Sequence, residues 1–343
     1  MRALLIVNPR ATSTTRLRRD VIASALASAF QLDVTETRYS GHASKLASAA
    51  RSEGYGLVLT LGGDGTVNEA VNGILGGGSV TAATADGSVT AATANGLVTA
   101  ATADAADGAD RPSPEERPAL AALPGGSANV FTRALGLPRD PIDATGHILQ
   151  AVAERRMRTI GLGNADGRYF TFNAGLGLDA EVVRAVQGLR AHGEPVTPAL
   201  YVRLALRQFY RQTDRRHPAL SIERDHEPEE GPVFIAIISN TAPWTYLGRR
   251  EVNANPQAGF DTGLDLFALR RMSTLSTFTA IGKMLTATGD GKLAGRSVLS
   301  YHDQPSLTLR ASRPAALQID GEYVGEREFV VFRSVPEALR VIA

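Results

Sequence analysis

The segment LVLTLGGDGTVNEAVNGIL, residues Leu57–Leu75, contains the strongest structural signals in the chain. It opens with Leu57–Leu61, a short apolar run that ends at glycine and predicts a buried strand. Three glycines and one aspartate follow within Gly62–Thr66. Apolar residues then recur at helical spacing, at Val67, Val71, Ile74 and Leu75. The stretch therefore predicts a strand, a glycine-rich turn and a helix.

A strand, a glycine-rich turn and a helix are typical of a phosphate-binding site. Glycines let backbone amides approach an anion, and a helix N-terminus adds unpaired N–H groups and a favourable dipole. Asp64 would repel a polyphosphate unless a cation lay between them, so it suggests Mg²⁺. Asn68 and Glu69 add polar groups in the first helical turn. The alternative is a turn that needs glycine for its geometry alone.

The segments before this stretch repeat the alternation of strand and helix. Ala3–Val7 predicts a strand, followed by the loop Asn8–Thr12 and a helix that runs to about Phe30. The helix cap is expected at Thr12, Ser13 or Thr14. Val34–Thr37 predicts a second strand and His42–Arg51 a second helix. The alternation favours a parallel, helix-covered sheet, which binds ligands at the carboxyl edge of its strands.

A second glycine-rich turn follows a low-complexity insertion. Nine-residue repeats such as GSVTAATAD fill much of Gly76–Pro118 and have too little apolar mass for a core, so we expect a disordered insertion without a catalytic role; a solenoid is the alternative. Ala119–Leu123 then predicts a strand, and Pro124–Asn129 a turn that carries a hydroxyl and an amide before another helix. Two such turns in one sheet favour an anion site over geometry alone.

From about Asp140 the pattern changes to a β-rich domain. A helix to Glu154 precedes runs that predict strands at Arg158–Leu162, Tyr169–Asn173, Leu220–Glu223, Val233–Ser239, Leu264–Leu269, Val298–His302, Leu307–Arg310, Ala316–Ile319 and Phe329–Phe332. Helices are predicted at Asp179–Arg190, Pro198–Gln212 and Ser273–Thr288. The second is basic and amphipathic, which favours either a membrane-surface helix or a core-packed helix with a solvated face. Near the C-terminus, Asp320-Gly321 predicts a hairpin turn whose carboxylates include a candidate general base.

Composition excludes several classes of function. The 343 residues carry a net charge of +1, which gives no overall attraction to nucleic acid or to an anionic membrane. There is no cysteine, so a disulfide framework and a thiolate zinc site are excluded. No stretch approaches the roughly 18–20 apolar residues of a membrane span, and the N-terminal apolar run is too short for a signal peptide. We therefore expect a cytoplasmic protein that contacts membranes transiently; pairing of strand edges into a homodimer stays open.

These segments resemble the diacylglycerol and sphingosine lipid kinase family, in its bacterial soluble branch. The resemblance rests on GGDGTVNEAVNGI and LPGGSANVFTRALGLP. Further segments stand in the family's order at Asn8–Thr12, Phe172–Val183, Gly259–Phe267 and Ile319–Glu322. The first motif is shared with NAD kinases and phosphofructokinases, whereas the second, placed after it, is more specific to lipid kinases.

The resemblance implies an architecture and a reaction. Residues 1–138 would form a phosphofructokinase-like nucleotide-binding α/β domain, with the insertion at 76–118. Residues 139–325 would form a β-sandwich-like, lipid-binding domain, and residues 326–343 a segment that returns to the first domain. ATP with Mg²⁺ would lie between the domains, and its γ-phosphate would pass to the hydroxyl of diacylglycerol or a sphingoid-like lipid at the membrane surface.

The resemblance also implies roles for individual residues. Glu322 would accept the proton of the lipid hydroxyl, Asp320 would lie beside it, and Asp64 would orient Mg²⁺. Nucleotide contacts are implied at Asn8, Pro9, Arg10, Ala11, Thr12, Thr37, Gly62, Gly63, Asp64, Gly65, Thr66, Val67, Asn68, Glu69, Gly126, Ser127 and Asn129. A structural metal is implied near Thr262-Gly263, where the family has Asp-Gly; Asp261 and the carbonyl of Leu264 are the candidates here.

Two further departures from the family pattern bear on the interpretation. Val130 replaces a family aspartate, which removes that carboxylate but not the nucleotide contacts. Trp244, Tyr246 and Leu247 replace a glycine cluster and would line either a lipid entrance or a core. The alternatives to a lipid kinase are an NAD kinase-like enzyme and a nucleotide-binding regulator without catalysis.

Overall fold

The computed structural model describes residues 1–12, 14–77, 113–191, 197–287, 293 and 295–343. Most of the predicted repeat insertion, at residues 78–112, lies outside the described residues. Its end is already folded, because Pro114–Glu116 form a short 3₁₀ helix and the Arg117 guanidinium donates to the Ala338 carbonyl. The chain thus packs against the rest of the protein before Pro118, the predicted end of the insertion.

The N-terminal part forms a parallel sheet. Its strands are β1 (Arg2–Val7), β2 (Gln31–Glu36), β3 (Leu57–Gly62) and β4 (Ala119–Pro124), in the spatial order β4-β3-β1-β2. The central strand β3 is buried along its whole length, as its continuous apolar run predicts.

Helices cover both faces of this sheet. They are α1 (Arg16–Ala27), α2 (His42–Ser52), α3 (Asp64–Leu75), α4 (Val130–Ala134) and α5 (Pro141–Ala153). Helices α2 and α3 pack on one face, and α1 and α5 on the other. The cap of α1 is Thr15, whose side chain accepts from the Arg18 amide, so the expected cap at Thr12, Ser13 or Thr14 was wrong. Helix α5 packs in this first core although it follows residue 138.

The C-terminal part is rich in strands. These are β5 (Arg158–Ala165), β6 (Arg168–Phe170), β7 (Asn173–Gly177), β8 (Leu220–Glu223), β9 (Glu230–Val233), β10 (Ile235–Ser239), β11 (Thr245–Leu247), β12 (Arg250–Val252), β13 (Leu264–Leu269), β14 (Val298–Gln304), β15 (Ser306–Ile319) and β16 (Glu322–Val341). Its helices are α6 (Leu178–Ala191), α7 (Pro198–Arg207), which continues into a π-helical turn at Gln208–Gln212, and α8 (Thr274–Thr286). The predicted strand Val233–Ser239 is thus divided between β9 and β10.

Two long strands fold this part into two layers. The end of β15 pairs with β7 and its beginning with β8, while β16 pairs with β15 and then with β5. Apolar side chains from both layers meet in one core that includes Leu176, Ile238, Leu309 and Phe332. The expected β-sandwich-like architecture is therefore confirmed, but Leu307–Arg310 and Ala316–Ile319 belong to one strand rather than two.

The last strand joins the two parts into one sheet. The end of β16 pairs in parallel with β4, through Val341 and Leu120, so the 14-stranded sheet runs through both parts of the molecule. The C-terminal segment therefore lies beside β4, at the edge of the N-terminal parallel sheet. Among the described residues, no helix is both long enough and apolar enough to cross a membrane.

Candidate active site

Parallel strands bring polar residues to one edge of the N-terminal sheet. Strands β1 and β3 are neighbours, so Asn8, which follows β1, lies beside the first glycine-rich turn, Gly62–Thr66. The Asn8 Nδ2 atom donates to Thr66 Oγ1 at 3.1 Å. Thr37 follows β2, and its amide donates to the carbonyl of Val7. These residues meet because the carboxyl ends of parallel strands lie at the same edge.

A cleft of about 250 Å³ lies at this edge. It is lined by Asn8, Arg10, Thr37, Arg38, Tyr39, Ser40, Gly65, Thr66, Glu69 and Glu322. All of these residues except Glu322 come from the N-terminal sheet and its connections. The cleft therefore brings six of the predicted nucleotide contacts together with the predicted proton acceptor.

Glu322 reaches the cleft on a two-residue hairpin. Ile319, at the end of β15, pairs with Glu322, at the start of β16. The two turn residues between them have left-handed backbones, with φ of 47° at Asp320 and 75° at Gly321. Glycine is favoured at such a position because it has no Cβ. The hairpin predicted from Asp-Gly is confirmed.

Arg168 holds the Glu322 carboxylate in place. The Arg168 guanidinium donates to Glu322 Oε2 at 2.6 Å and to Asn68 Oδ1 at 3.0 Å. The Arg168 side chain is 11% exposed and that of Glu322 is 31% exposed, so the ion pair is shielded on one side and open to the cleft on the other. Charge-assisted hydrogen bonds of this kind are short and orient a carboxylate well.

Asp320 is a structural carboxylate rather than a cleft residue. It is 4% exposed. Its oxygens accept hydrogen bonds from Asn68 Nδ2, the Thr171 amide and hydroxyl, and the amides of Phe172 and Asn173, at 2.7–3.1 Å. Burial raises its pKa, and the donors oppose that rise. Because Asp320 takes these amides, the predicted strand Tyr169–Asn173 is interrupted between β6 and β7.

Glu69 lies in the cleft wall but is engaged at a helix end. Its two oxygens accept from the amides of Gly41 at 2.7 Å and Ala43 at 3.0 Å, at the N-terminus of α2. Burial raises the pKa of Glu69, the backbone hydrogen bonds oppose this, and the nearby charge of Glu322 raises it further. Two carboxylates thus face one cleft.

Asp64 connects the first turn to α4. Its Oδ1 atom accepts from the Phe131 amide at 3.2 Å, at the first turn of that helix. Burial raises the pKa of Asp64 to about 6, against the backbone donors Val130 and Phe131. The carboxylate therefore stands in for the missing side-chain cap of α4, and it does not line the cleft.

The second glycine-rich turn packs against the first. The Gly125 amide donates to the Gly62 carbonyl at 2.7 Å, and a Cβ on Gly126 would lie 2.6 Å from the Gly63 Cα atom. The Asn129 side chain folds back on its own turn, with two hydrogen bonds to the Gly126 backbone at 2.8 Å. Ser127 is exposed. This turn therefore supports the first one from behind.

Several predicted nucleotide contacts do not line the cleft. They are Pro9, Ala11, Thr12, Gly62, Gly63, Asp64, Val67, Asn68, Gly126, Ser127 and Asn129. Val67 is 1% exposed and belongs to the apolar core, so its side chain is a packing residue. Asn68 is equally buried and links Arg168 to Asp320. For the residues of this list other than Val67 and Asn68, direct contact with a nucleotide stays a prediction.

The proposed metal position and the aromatic cluster lie away from the cleft. Asp261 is exposed and forms an ion pair with Arg158 at 2.6 Å, while Leu264 is buried at the start of β13. Among the described residues, no three histidine or acidic side chains form a metal-binding group. Trp244 and Tyr246 pack partly buried against separate cores, which fits the core alternative better than a lipid entrance; Leu247 is exposed.

Four residues of the site were not found from the sequence. Arg38, Tyr39 and Ser40 follow Thr37 at the end of β2, and extending the loop by three residues would have included them. Arg168 stands four residues before the recognised segment that begins at Phe172, and no local pattern points to its ion pair with a residue 154 positions later.

Comparisons with known proteins agree on one family. Residues 2–164 match the model of the diacylglycerol kinase catalytic domain. A diacylglycerol kinase of Bacillus subtilis is 25% identical over 335 residues, which cover 94% of this chain and 90% of the relative. One from Staphylococcus saprophyticus is 23% identical over 328 residues, covering 95% and 90%.

Solved structures share the fold. A diacylglycerol kinase structure from Bacillus anthracis has a TM-score of 0.64 at 18% identity and covers 99% of this chain and 96% of its own. Another chain from that organism has a TM-score of 0.69 at 20% identity, with the same coverage. The predicted fold class is confirmed.

Proposed function

The chain belongs to the bacterial diacylglycerol kinase-like family and is a lipid kinase, and on this basis we propose that it transfers the γ-phosphate of ATP to the hydroxyl of diacylglycerol or a sphingoid-like lipid. One observation carries the proposal: Glu322, from the far end of the chain, lines the same cleft as Asn8, Thr37 and Thr66. Phosphoryl transfer to an alcohol requires that the nucleotide is positioned and that a base accepts the proton of the alcohol. This cleft combines residues suited to both tasks.

Glu322 acts as the general base in this proposal. It takes the proton of the lipid hydroxyl while that oxygen attacks the γ-phosphorus, the bond to the bridging oxygen breaks, and ADP leaves. Arg168 keeps the carboxylate turned to the cleft, and Asn68 and Asp320 keep Arg168 and the hairpin in register. Arg10 and Arg38 lie in the cleft wall, where their positive charge favours a polyphosphate.

The residues of the cleft fit Mg²⁺ as the partner of ATP. Glu69 and Glu322 both face the cleft, and a triphosphate beside them would be repelled without a cation. Mg²⁺ is usually held by phosphates and one or two carboxylates, so a protein cage of three acids is not required. Glu69 is the cleft carboxylate beside the proposed base that would contribute to holding the ion, which would neutralise phosphate charge; Asp64, to which the resemblance assigns Mg²⁺, lies outside the cleft lining.

The proposal is tested with Glu322→Gln. This variant keeps the shape of the side chain but cannot accept the proton, so we expect the rate of phosphate transfer from labelled ATP to diacylglycerol or sphingosine to fall by roughly 100- to 10,000-fold. Binding of ATP should be unchanged. Thin-layer separation of the labelled lipids measures the rate and tells the two acceptors apart.

Glu326→Gln is the matched control, because Glu326 lies on the same strand, is exposed and pairs only at the surface with Arg184. It should retain the wild-type rate. Label incorporated into NAD instead of lipid would show an NAD kinase-like enzyme. ATP binding without any transfer by the wild-type protein would favour the regulator.

A further inference from the structure

Two helices of the C-terminal part expose apolar side chains next to each other. Helix α7 with its π-helical turn and helix α8 cover the outside of one sandwich layer, and we refer to their solvent-facing sides as the α7–α8 surface. Its large apolar side chains are between 40% and 79% exposed: Val202, Leu206, Tyr210, Leu275, Phe278 and Ile281. Exposed apolar patches of this kind mark interaction sites more often than scattered single residues do.

The inward sides of these helices are already satisfied. Phe209 from the π-helical turn and Ala280 and Met284 from α8 are buried in a common core with Met272. The exposed residues recur every four positions on α7 and every three on α8, so each set forms a stripe along its helix. On the other side of α7, Leu200 and Leu204 are partly buried. The α7–α8 surface is therefore a second apolar face and not the edge of the core.

Arginines border the apolar stripes. Arg203, Arg207 and Arg211 are exposed and recur every four residues along α7, and none of them forms an ion pair with a carboxylate among the described residues. Residues 198–216 contain five arginines and a single acid, Asp214, in a chain whose net charge is only +1. This segment thus carries a local excess of positive charge.

An arginine-rich cleft lies between the π-helical turn with the loop that follows it and the start of α8. It has a volume of about 510 Å³ and includes Tyr210, Arg211, Arg215, Arg216 and Ser273 in its lining. The Arg215 guanidinium lies 4.7 Å from the centre of the Phe209 ring and within hydrogen-bond distance, 3.5 Å, of Thr274 Oγ1. The cleft therefore presents one fixed guanidinium group, that of Arg215, beside apolar side chains.

Apolar stripes bordered by unpaired arginines match the interface of a bilayer that contains anionic lipids, where apolar groups enter the acyl boundary and arginines meet phosphates. A second copy of this chain is a poorer partner, because a two-fold contact would place the arginines of one surface against those of the other. The charge therefore selects an anionic membrane as the occupant.

One helix connects this surface to the hairpin of the active site. Helix α6 contacts α7, and its Gln187 accepts a hydrogen bond from the amide of Tyr323, the residue after Glu322. A membrane bound at the α7–α8 surface would thus be linked through α6 to the hairpin that carries the proposed base.

We infer that the α7–α8 surface docks the protein on anionic bilayers, with the apolar stripes inserted in the interface and the arginines on lipid phosphates. The inference extends the proposed function, since a kinase of bilayer lipids must reach them. Docking itself needs neither ATP nor Glu322, so its failure is distinguishable from failure of the kinase proposal.

Flotation with vesicles tests the inference. The wild-type protein should float with vesicles of phosphatidylcholine and phosphatidylglycerol and not with pure phosphatidylcholine. The triple variant Arg203→Gln, Arg207→Gln, Arg211→Gln should bind the anionic vesicles roughly 100-fold more weakly, at about fivefold for each arginine. Leu206→Gln with Phe278→Gln should also lose binding, because less apolar area enters the interface.

The control variant changes the same net charge elsewhere: Arg155→Gln, Arg156→Gln, Arg158→Gln, all exposed near the end of α5. It should bind anionic vesicles as the wild type does. The α7 variants should still phosphorylate a short-chain diacylglycerol dispersed in solution, which also shows that they fold.

Unchanged flotation of the α7 variants, or equal losses in the control, would overturn the inference. So would a wild-type protein that ignores anionic vesicles, or a dimer in sedimentation that the same variants abolish while vesicle binding persists. If no variant phosphorylates lipid but flotation follows the expected order, the docking inference stands and the kinase proposal fails.

Discussion

The two glycine-rich turns look alike in sequence, but the structure uses them differently. Gly65 and Thr66 of the first turn line the cleft, and Thr66 is bonded to Asn8 across the edge of the sheet. In the second turn, Asn129 is bonded to its own loop, and Gly126 packs against the backbone of Gly63. The first turn forms part of the cleft wall, and the second turn packs against the first and holds it in position.

This difference shows that a glycine can leave space for a ligand or allow another backbone segment to pack closely. Substitution of the two kinds of glycine should affect the stability of the protein differently. A glycine that faces a cleft tolerates a methyl group, whereas one that packs on backbone does not, because the backbone has no flexible end that can move aside. The following predictions test this difference.

The largest effect is expected for Gly126→Ala. The new Cβ would lie 2.6 Å from the Gly63 Cα atom, so one turn has to shift. We expect a loss of about 3 kcal/mol in the free energy of unfolding, at the upper end of overpacking effects. The shift in the midpoint of urea denaturation measures it.

Gly65→Ala is the matched comparison in the first turn. Its Cβ would have only one contact, at 3.7 Å from Glu322 Oε1, and the residue lies in the first turn of α3, where alanine is the better helix former. The free energy of unfolding should stay equal or rise. If both variants were equally destabilised, the assignment of the second turn as a backbone support would be wrong.

A smaller difference is expected in the binding of ATP. Thr66→Val removes the acceptor of the Asn8 side chain in the cleft wall, and we expect the KM for ATP to rise about five- to tenfold, the effect of one hydrogen bond. Ser127→Ala alters an exposed side chain outside the cleft lining and should change KM less than twofold. Steady-state kinetics at saturating lipid compares them; the reverse order would mean that the second turn grips the nucleotide as well.

The last prediction concerns the pH dependence of stability. Burial raises the pKa of Asp64 from its ordinary value of 3.8 to about 6, so the folded protein binds this proton more tightly than the unfolded chain does. The contribution of Asp64 to stability is thus greatest below about pH 4 and is lost as the pH rises towards and beyond 6. Thermal melts of Asp64→Asn between pH 4 and 7 should show a shallower decline than the wild type.

Asp179 has its pKa raised to about 6 as well, mainly by burial and against one hydrogen bond from Gln318, so part of the decline should remain in Asp64→Asn. Removing both carboxyl groups, with Asp64→Asn and Asp179→Asn, should flatten it further. An unchanged slope in the double variant would show that neither carboxyl group titrates in this range.

Local patterns predicted much of the fold. The continuous apolar run of β3, the helical spacing after Thr66 and the Asp-Gly turn are short-range signals, and each element lies where its pattern indicates. The patterns failed where a distant group took the backbone: Asp320 draws the amides of Thr171 and Phe172 away from a ladder and divides the predicted strand there. Long strands such as β16 were also underestimated, since their middle changes partners rather than ending.

The parallel sheet with its two glycine-rich turns, the late hairpin and the resemblance to diacylglycerol kinases could be read from the amino-acid sequence, because they depend on residues close together in the chain. The meeting of Glu322 and Arg168 beside Asn8, the backbone hydrogen bonds of Asp320 and the contact of Asp64 with α4 became visible only in the folded molecule. Such pairings join residues far apart in the chain. They are set by which strands become neighbours in the folded sheet, and no spacing within a motif encodes such a pairing.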